Sequence, residues 1–469
     1  MVPPSNRTEM IIIGSGITAA AVAWSYLEEC RRSNAWHSII VLESRDLCGG
    51  ASSRNGGHMK IIPHEQFSEL RRSHGEERAA AIIRFQLSHI KRMMELCDAR
   101  GWDMAECRKV VTVDYFLTDE EREEAFAKVE IVQKYIPELE YTKFSAQEAR
   151  KKFHVNKHVK GALSYVAGVI HPYRFTTCVW DELLRKYKYY LFIKTHTTVL
   201  NVVAPKGRPY AFQVIVDQIE SRTFECNHVV HATNAFATQF VPGLRGKLTG
   251  IPGTVSMMKP GKLFNESDHM ESWSIFYGHA HDYAVQRPAV DGVQGDVILG
   301  GGFSRSEGQG ASMLGAGGWE TLMQWSGIMA LTGDKLPFVG RLHPDLTGRR
   351  PAVSEMMHPN HRPGEWICAG YNGDGLMLAW LCGIALGIMV AEREHVDRPK
   401  IAGRPEGPLR SWFPPEFLPT GKRVRKTTFK NLGRRFFWAL LSKRYVEPYP
   451  DNDSLDSSIY DEPILPMFG

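Results

Sequence analysis

The stretch from residue 10 to residue 20 constrains the fold of this chain more than any other. It reads MIIIGSGITAA, in which an apolar run typical of a buried parallel strand passes into small residues typical of a closely packed helix. Gly14 permits a sharp turn between the two, Gly16 lets the backbone approach a pyrophosphate, and Ala19 keeps helix and sheet close. A helix N-terminus after such a turn attracts phosphate. The stretch therefore predicts a Rossmann-type unit that binds a dinucleotide.

The end of the next apolar run narrows the choice of dinucleotide. Residues 38–42 read as a second strand, and Glu43 follows them directly. A carboxylate at this place accepts hydrogen bonds from an adenosine ribose and repels a ribose 2′-phosphate. The pattern favours NAD or FAD over NADP.

A loop of small residues follows Glu43, Ser44 and Arg45. Residues 49–58 read GGASSRNGGH, with one arginine, one asparagine and several glycines that cannot form a hydrophobic core. One interpretation is a flexible surface loop. The interpretation we favour is a second phosphate and isoalloxazine cradle, because small residues admit a flat ring and leave backbone N–H groups free to meet its polar edge.

Six separated motifs, taken together, resemble one known family. After the Gly14 turn come SRNGGH at 53–58, HPY at 171–173, VVHATNA at 229–235, WSGIM at 325–329 with DKLPFVG at 334–340, and AGYNGDG at 369–375. In this order they resemble the FAD-dependent oxidoreductases of the D-amino-acid oxidase (DAO) type. Within that family the SRNGG loop is most similar to the branch that includes gamma-glutamylputrescine oxidase-like enzymes. The resemblance spans about residues 10–395.

The resemblance implies an α/β fold with two domains and an extension. A Rossmann-like FAD-binding domain of the glutathione-reductase-2/DAO type is expected from residues 1–62, 150–245 and 335–395. An inserted α+β substrate domain, built on an antiparallel sheet, is expected from residues 63–149 and 246–334. Residues 396–469 form a C-terminal extension.

Local patterns predict the main elements. Helices are predicted at 76–100, 119–134 and 172–186, and a capping box at Ser145 and Glu148 opens another. Strands are predicted at 189–195, 199–203, 212–216, 223–230, 255–260, 284–288, 297–299 and 366–369.

The resemblance also implies which residues contact FAD. They lie in the first turn, at the end of the second strand, in the small-residue loop, on one further strand, after residue 231 and in the last glycine loop. The set is Gly14, Ser15, Gly16, Ile17, Thr18, Ala19, Glu43, Ser44, Arg45, Gly50, Ala51, Ser52, Arg54, Asn55, Gly56, Gly57, His58, Val199, Thr233, Asn234, Gly370, Asn372, Gly373, Gly375 and Leu376. Sarcosine-oxidase-like members anchor the flavin through a cysteine at a place that falls near Ile328, so noncovalent FAD is expected.

Four residues are candidates for the substrate side: His58, Lys60, Tyr371 and Arg287. Three have a plainer alternative, namely a loop histidine for His58, wall packing for Tyr371 and a surface ion pair for Arg287. Sarcosine-oxidase-like members hold a substrate carboxylate with an arginine and a lysine. Those places hold Pro63 and Met377 here, which favours a larger amine or an unusual amino compound.

The activity that the resemblance implies is oxidation of a small-molecule amine. A neutral amine would pass a hydride to flavin N5, the imine would hydrolyse, and molecular oxygen would reoxidise the flavin and give hydrogen peroxide. One alternative is a dehydrogenase that uses a quinone or protein acceptor. Another is an assembly or interaction protein in which FAD is structural.

Composition excludes several other classes. The net charge is only +5, and no basic stripe interleaved with aromatic residues lies within the predicted domains, so nucleic-acid binding is not expected. The eight cysteines form no C-x-x-C pair, which argues against zinc and against a disulfide framework and fits a reducing compartment. No metal site is expected, and cytoplasm is the default location.

Two segments, one apolar and one basic, raise the question of contact with a membrane. Residues 376–391 are uncharged but are shorter than the roughly 20 residues that a bilayer span needs, so a buried helix is predicted and no transmembrane segment is expected. Residues 422–444 are basic and aromatic and precede an acidic stretch at 447–462. Residues 432–441 are interpreted either as an interfacial helix for a membrane surface or partner, or as a C-terminal helix packed on the body.

Overall fold

The computed structural model describes residues 5–218, 222–261, 270–277, 280–289, 293–301, 320–351 and 362–429. Its strands are β1 Arg7–Ile13, β2 Ile39–Leu42, β3 His58–Met59, β4 Arg108–Phe116, β5 Thr142–Ser145, β6 Gly161–Val169, β7 Leu191–Lys194, β8 Val199–Val203, β9 Phe212–Val216, β10 Thr223–His231, β11 Leu248–Lys259, β12 Glu271–Tyr277, β13 Ala280–Gln286, β14 Val297–Gly300, β15 Glu320–Thr332, β16 Phe338–Arg341 and β17 Gly364–Ala369. Its helices are α1 Ile17–Ser33, α2 Pro63–His74, α3 Glu76–Arg100, α4 Asp119–Tyr135, α5 Ala146–Phe153, α6 Pro172–Lys186, α7 Pro344–Thr347, α8 Ala379–Val390 and α9 Gly421–Lys426.

The first sheet brings the predicted cofactor residues to one edge. Its main path runs β16-β17-β10-β1-β2-β7, and β9 joins β8 to β10. Strands β17, β10, β1, β2 and β7 are parallel, and Ile13 is in register with both Leu42 and His231. The turn after β1, Glu43 after β2 and the segment after β10 therefore leave the sheet side by side, as the predicted Rossmann-like fold requires.

Helices α1 and α8 pack closely on each other through small residues. A Cβ on Gly383 would lie 2.7 Å from the Thr18 carbonyl oxygen, and one on Gly387 would lie 2.7 Å from the Val22 carbonyl oxygen. Every residue of α8 is buried, so the apolar run at 376–391 is a core helix, as predicted. None of the helices in the described ranges is long and apolar enough to cross a membrane.

The second sheet has nine strands in the order β15-β11-β14-β13-β12-β4-β6-β3, with β5 paired to β6. All its pairings are antiparallel except that of β12 with β4. Val113, Trp273 and Ile275 belong to a core cluster on one face. Because side chains alternate along a strand, Asp114 and Ser274 point to the other face.

The predicted elements agree with the structure where local signals are strong. Helices α3 and α6 have the predicted bounds, and the capping box at Ser145 is formed. Strands β4, β6 and β12 were not predicted, and β15 is much longer than its motif. Strands β3 and β6 belong to the second sheet although they fall in the segments expected for the FAD-binding domain, whose boundaries remain predictions.

The described part of the C-terminal extension packs on the body of the protein. Arg398 pairs with Glu29 of α1 at 2.8 Å, and both side chains are almost fully buried. Arg423 of α9 pairs with Asp334 at 2.8 Å. The segment from residue 396 to residue 429 is therefore integral to the fold, while the predicted helix at 432–441 lies outside the described residues.

Candidate active site

The turn after β1 is built for close approach of a ligand to the backbone. Gly14 has φ +101°, and a Cβ there would lie 2.9 Å from the Ala232 carbonyl oxygen. A Cβ on Gly16 would lie 2.8 Å from Ser52 Oγ. At position 14 the backbone conformation and the lack of room for a Cβ both require glycine. At position 16 only the lack of room does.

The N-terminus of α1 is open to an anion. The helix has no side-chain cap and no acidic residue in its first turn. Ile17 N–H donates to Ser52 Oγ at 2.9 Å, which places the small-residue loop directly over the helix end. The helix dipole and the backbone N–H groups of Thr18 and Ala19 favour a phosphate here.

Glu43 is held rigidly at the end of β2. It is buried, and its Oε2 accepts hydrogen bonds from Ser15 N–H at 3.1 Å and from Ser15 Oγ at 2.7 Å. Its Oε1 accepts from Arg45 N–H at 3.0 Å and from the Ser44 hydroxyl at 3.4 Å. The carboxylate therefore joins the β1 turn to the segment that begins the small-residue loop.

That loop is ordered by its own polar side chains. Asn55 Nδ2 donates to the Ala51 and Ser52 carbonyl oxygens, and Asn55 Oδ1 accepts from Gly57 N–H at 2.9 Å. Arg54 Nη1 donates to the Ser326 carbonyl oxygen of β15 at 3.0 Å. These bonds connect the loop to the second sheet and disfavour the flexible-loop interpretation.

The glycines of this loop meet the second sheet as well. A Cβ on Gly56 would lie 2.5 Å from the Tyr283 hydroxyl oxygen, and one on Gly57 would lie 2.2 Å from the Ile170 carbonyl oxygen. Gly50 has a single neighbouring atom within 4 Å, on Arg45. The loop thus packs against β13 and the end of β6 at Gly56 and Gly57, whereas the Cβ position of Gly50 is nearly free.

The last glycine loop is braced by two asparagines. Asn234 Oδ1 accepts from Gly370 N–H at 2.9 Å, and Asn372 Oδ1 accepts from Thr332 N–H at 2.8 Å. Gly373 has φ +93°, and neither it nor Gly375 has any atom within 4 Å of a Cβ position. Leu376 begins the buried run behind this open space.

These features fit FAD. The first turn excludes side chains where a pyrophosphate would lie, and the space beside Gly373 and Gly375 is free for a flat ring. Thr233 Oγ1, between β10 and Asn234, is buried without a hydrogen-bond partner, as expected of an atom that meets a ligand. Val199 is buried in β8, and the structure records no polar contact from its side chain.

Tyr371 is part of the support for this cradle. Its ring is buried, and its hydroxyl lies 2.7 Å from Thr18 Oγ1 and 3.1 Å from Cys368 Sγ. Burial raises the pKa of Tyr371 well above its ordinary value. These contacts agree with the wall-packing alternative.

His58 and Lys60 stand on one polar face of the second sheet. His58 Nε2 lies 2.9 Å from Ser272 Oγ, and its ring packs against Tyr283 with centroids 5.5 Å apart. Lys60 Nζ forms a short ion pair with Asp114 and donates to Ser274 Oγ at 2.7 Å. Both partners of the ion pair are buried.

The Lys60–Asp114 pair is itself supported by a tyrosine. Tyr165 donates from its hydroxyl to Asp114 Oδ2 at 2.8 Å. Burial lowers the pKa of Lys60 and raises that of Asp114, and the attraction between the two opposes both shifts. The pair carries no net charge.

The histidines on this face are neutral at physiological pH. Burial, with the charge of Lys60 as a further cause, lowers the pKa of His58 well below its ordinary value. Burial likewise lowers the pKa of His281 to about 4.

Arg287 is engaged elsewhere. Its Nη2 lies 2.6 Å from Glu106 Oε1, and Arg174 pairs with the same carboxylate at 2.9 Å. The described contacts do not connect Arg287 with His58 or Lys60. The ion-pair alternative therefore describes its surroundings, and a catalytic role for it remains only a prediction.

Sequence reasoning missed most of the polar face: Asp114, Tyr165, Ser272, Ser274, His281 and Tyr283. Alternation of residue types in ESWSIFY at 271–277 was the one available signal, since it puts both serines on one face.

A Rossmann-like cofactor sheet joined to an antiparallel sheet with a polar face defines a flavin-dependent oxidoreductase. The family model for FAD dependent oxidoreductases (DAO) matches residues 9–387, and the chain belongs to this family. The predicted family, fold class and FAD cofactor are confirmed. No curated protein sequence matches the chain.

Solved structures share the fold at low sequence identity. Glycine oxidase from Geobacillus kaustophilus has a TM-score of 0.60 and 18% identity, over 89% of this chain and 99% of that chain. L-proline dehydrogenase from P. horikoshii has a TM-score of 0.59 and 18% identity, over 89% and 98%. Iminodiacetate oxidase (IdaA) from Chelativorans sp. BNC1 has a TM-score of 0.58 and 14% identity, over 86% and 98%.

Proposed function

We propose that this protein oxidises a carbon–nitrogen bond of a small amine or amino compound. The amine, molecular oxygen and water together give a carbonyl compound, the released amine or ammonia, and hydrogen peroxide. Bound FAD supplies the acceptor for the two electrons and the hydrogen from the carbon next to nitrogen. The observation that carries this proposal is a polar face on which His58 lies beside the paired Lys60 and Asp114, in contact with the open glycine loop.

Such a face suits an amine because His58 and the Lys60–Asp114 pair carry no net charge. A substrate ammonium must lose a proton to water before its C–H bond becomes reactive, and the burial that keeps His58 neutral also favours the neutral amine. Ser272 fixes the His58 ring through Nε2, and Tyr283 packs beside it. In this proposal the neutral His58 contacts the substrate nitrogen, and Lys60 orients the face with Asp114.

The FAD contacts proposed for this chain are the cradle residues named from the sequence. Gly14, Gly16 and the N-terminus of α1 hold the pyrophosphate, and Glu43 meets the ribose. The small-residue loop and the glycine loop hold the flavin ring. Noncovalent binding is part of the proposal, because the place of the family's anchoring cysteine falls near Ile328 in β15.

The electron acceptor is proposed as oxygen. The similar structures include enzymes named as oxidases and one named as a dehydrogenase, so their names do not select between acceptors. A small-molecule amine and oxygen are the proposed partners.

The proposal is tested by the visible spectrum of the purified FAD-loaded protein. It is mixed without oxygen with monoamines, diamines and amino acids, and bleaching of the flavin bands identifies the substrate class. Oxygen and a quinone are then supplied separately to the reduced protein. Rapid reoxidation by oxygen with hydrogen peroxide supports the oxidase, and reoxidation by the quinone alone would replace it with a dehydrogenase. Flavin that no amine bleaches would contradict the proposed function and favour a structural cofactor.

A further inference from the structure

A second carboxyl group lies at the edge of the open space beside the glycine loop. Asp374 sits between Gly373 and Gly375, neither of which has an atom within 4 Å of its Cβ position. The short helix Gly375–Met377, which follows it, contacts β3, the strand that carries His58. Asp374 is therefore close to the proposed substrate face.

Asp374 is held by a neutral partner. Gln66 of α2 donates from Nε2 to Asp374 Oδ2 at 2.7 Å, which joins α2 to the glycine loop across this opening. In the described part of the chain no lysine or arginine forms an ion pair with Asp374. The nearby Lys335 is bound at 2.7 Å by Glu69, so its charge is already compensated.

The remaining groups of the site leave this carboxylate as an unbalanced charge. His58 and His281 are neutral, and Lys60 is balanced by Asp114. Unlike Asp114, Asp374 has no ion-pair partner among the described residues, and its ionised form complements a cation.

We propose that Asp374, positioned by Gln66, binds a second cationic group of the substrate, so that the substrate is a diamine or another dicationic amine. One nitrogen then lies at His58 as the neutral amine, while the distal ammonium is held at Asp374. This inference rests on the proposed amine oxidation and specifies its substrate class.

The experiment compares two substrates of equal chain length, 1,4-diaminobutane and butylamine, on the FAD-loaded protein. Wild type should prefer the diamine, and Asp374→Asn should lower the ratio of the two kcat/KM values by about tenfold or more, mainly through the KM of the diamine. The matched control is Glu65→Gln, because Glu65 lies on the same helix as Gln66 but is bound by Lys128 at 2.7 Å. This control removes the same charge and should leave the ratio unchanged.

A binding measurement accompanies the kinetics. Tetramethylammonium, which cannot be oxidised through this route, is titrated into the FAD-loaded protein and followed by the change in the flavin spectrum. Asp374→Asn should weaken this binding by a similar factor while retaining its FAD, which shows that the variant is folded.

The outcomes separate the two proposals. A substrate ratio that Asp374→Asn leaves unchanged, or a wild-type preference for butylamine or an amino acid, overturns the role of Asp374 and leaves amine oxidation standing. Flavin that no amine bleaches overturns both.

Discussion

Among single residues, Lys60 and Asp114 should be sensitive to mutation because their ion pair is almost fully buried. Removing one partner of such a pair leaves the other as a buried charge, which costs about 3–5 kcal/mol of stability. Lys60→Met and Asp114→Asn should therefore each lower the free energy of unfolding by about that amount. Urea denaturation followed by fluorescence measures it.

The double variant Lys60→Met/Asp114→Asn distinguishes folding from chemistry. With both charges gone, most of the lost stability should return, since the amide oxygen that replaces the carboxylate can still accept the Tyr165 hydrogen bond. Amine-dependent flavin reduction should not return if Lys60 orients the substrate face. A double variant that recovers stability and full activity together would show that the pair serves folding alone.

At the scale of single residues, the titration of Asp374 predicts how ligand binding depends on pH. Burial raises the pKa of Asp374 to about 7, against smaller opposing effects of the Gln66 hydrogen bond and the Lys335 charge. The carboxyl is then mostly neutral below that pH and ionised above it. Binding of tetramethylammonium, whose charge does not change, should strengthen as the pH rises from about 6 to about 8.

The neighbours of Asp374 define the control for this titration. Gln66 contacts it from α2, and Lys335, which pairs with Glu69, lies nearby in the turn between β15 and β16. The Gln66 side chain has no titratable group. Asp374→Asn should therefore remove the pH dependence, and a variant that keeps it would assign the effect to another group.

At the scale of an element, the turn from β1 to α1 predicts a selective loss of cofactor. Gly14→Ala combines a positive φ with a Cβ 2.9 Å from the Ala232 carbonyl oxygen, so the turn must shift. We expect protein that folds but retains little FAD, measured as flavin released on heating. Gly101→Ala is the matched control: its φ is +63° and its Cβ position is free, so it should cost roughly 1–2 kcal/mol and keep the cofactor.

Elements with strong local signals could be predicted, whereas those defined by distant partners could not. Helix α3 lies between Gly75 and Gly101, and α6 begins at Pro172. These residue types are typical of helix ends, so the sequence alone indicates the positions. Strand β4 is buried on both faces over most of its length and shows no clean alternation, so its pattern did not identify it as a strand.

The same contrast holds within the site. The turn after β1 was predictable because one short run of residues contains both its glycines and the start of its helix. The substrate face was not, because His58, Asp114, Ser272 and Tyr283 come from β3, β4, β12 and β13, and only the pairing of these strands brings them together.

For the whole molecule, we predict that the C-terminal extension is required as far as residue 429. Residues 396–429 contribute the buried Arg398–Glu29 pair, and Gly403 accepts a hydrogen bond from Trp380 of α8 at 2.6 Å. Phe417 packs against Phe85 of α3 with ring centroids 5.6 Å apart. Ending the chain at residue 395 should therefore yield protein that is insoluble or lacks FAD, as judged by yield and flavin content.

Ending the chain at residue 429 tests the two interpretations of the basic and aromatic segment at 422–444. This truncation keeps the contacts of α9, including the Arg423–Asp334 pair, so FAD content and thermal stability should match the full chain. If residues 432–441 form an interfacial helix, the full chain should sediment with vesicles that contain anionic lipid, and the truncated chain should not. Added salt should release the full chain from the vesicles. Alternatively, the truncated chain is less stable than the full chain, and the full chain does not bind vesicles. That result would identify this helix as part of the packed body.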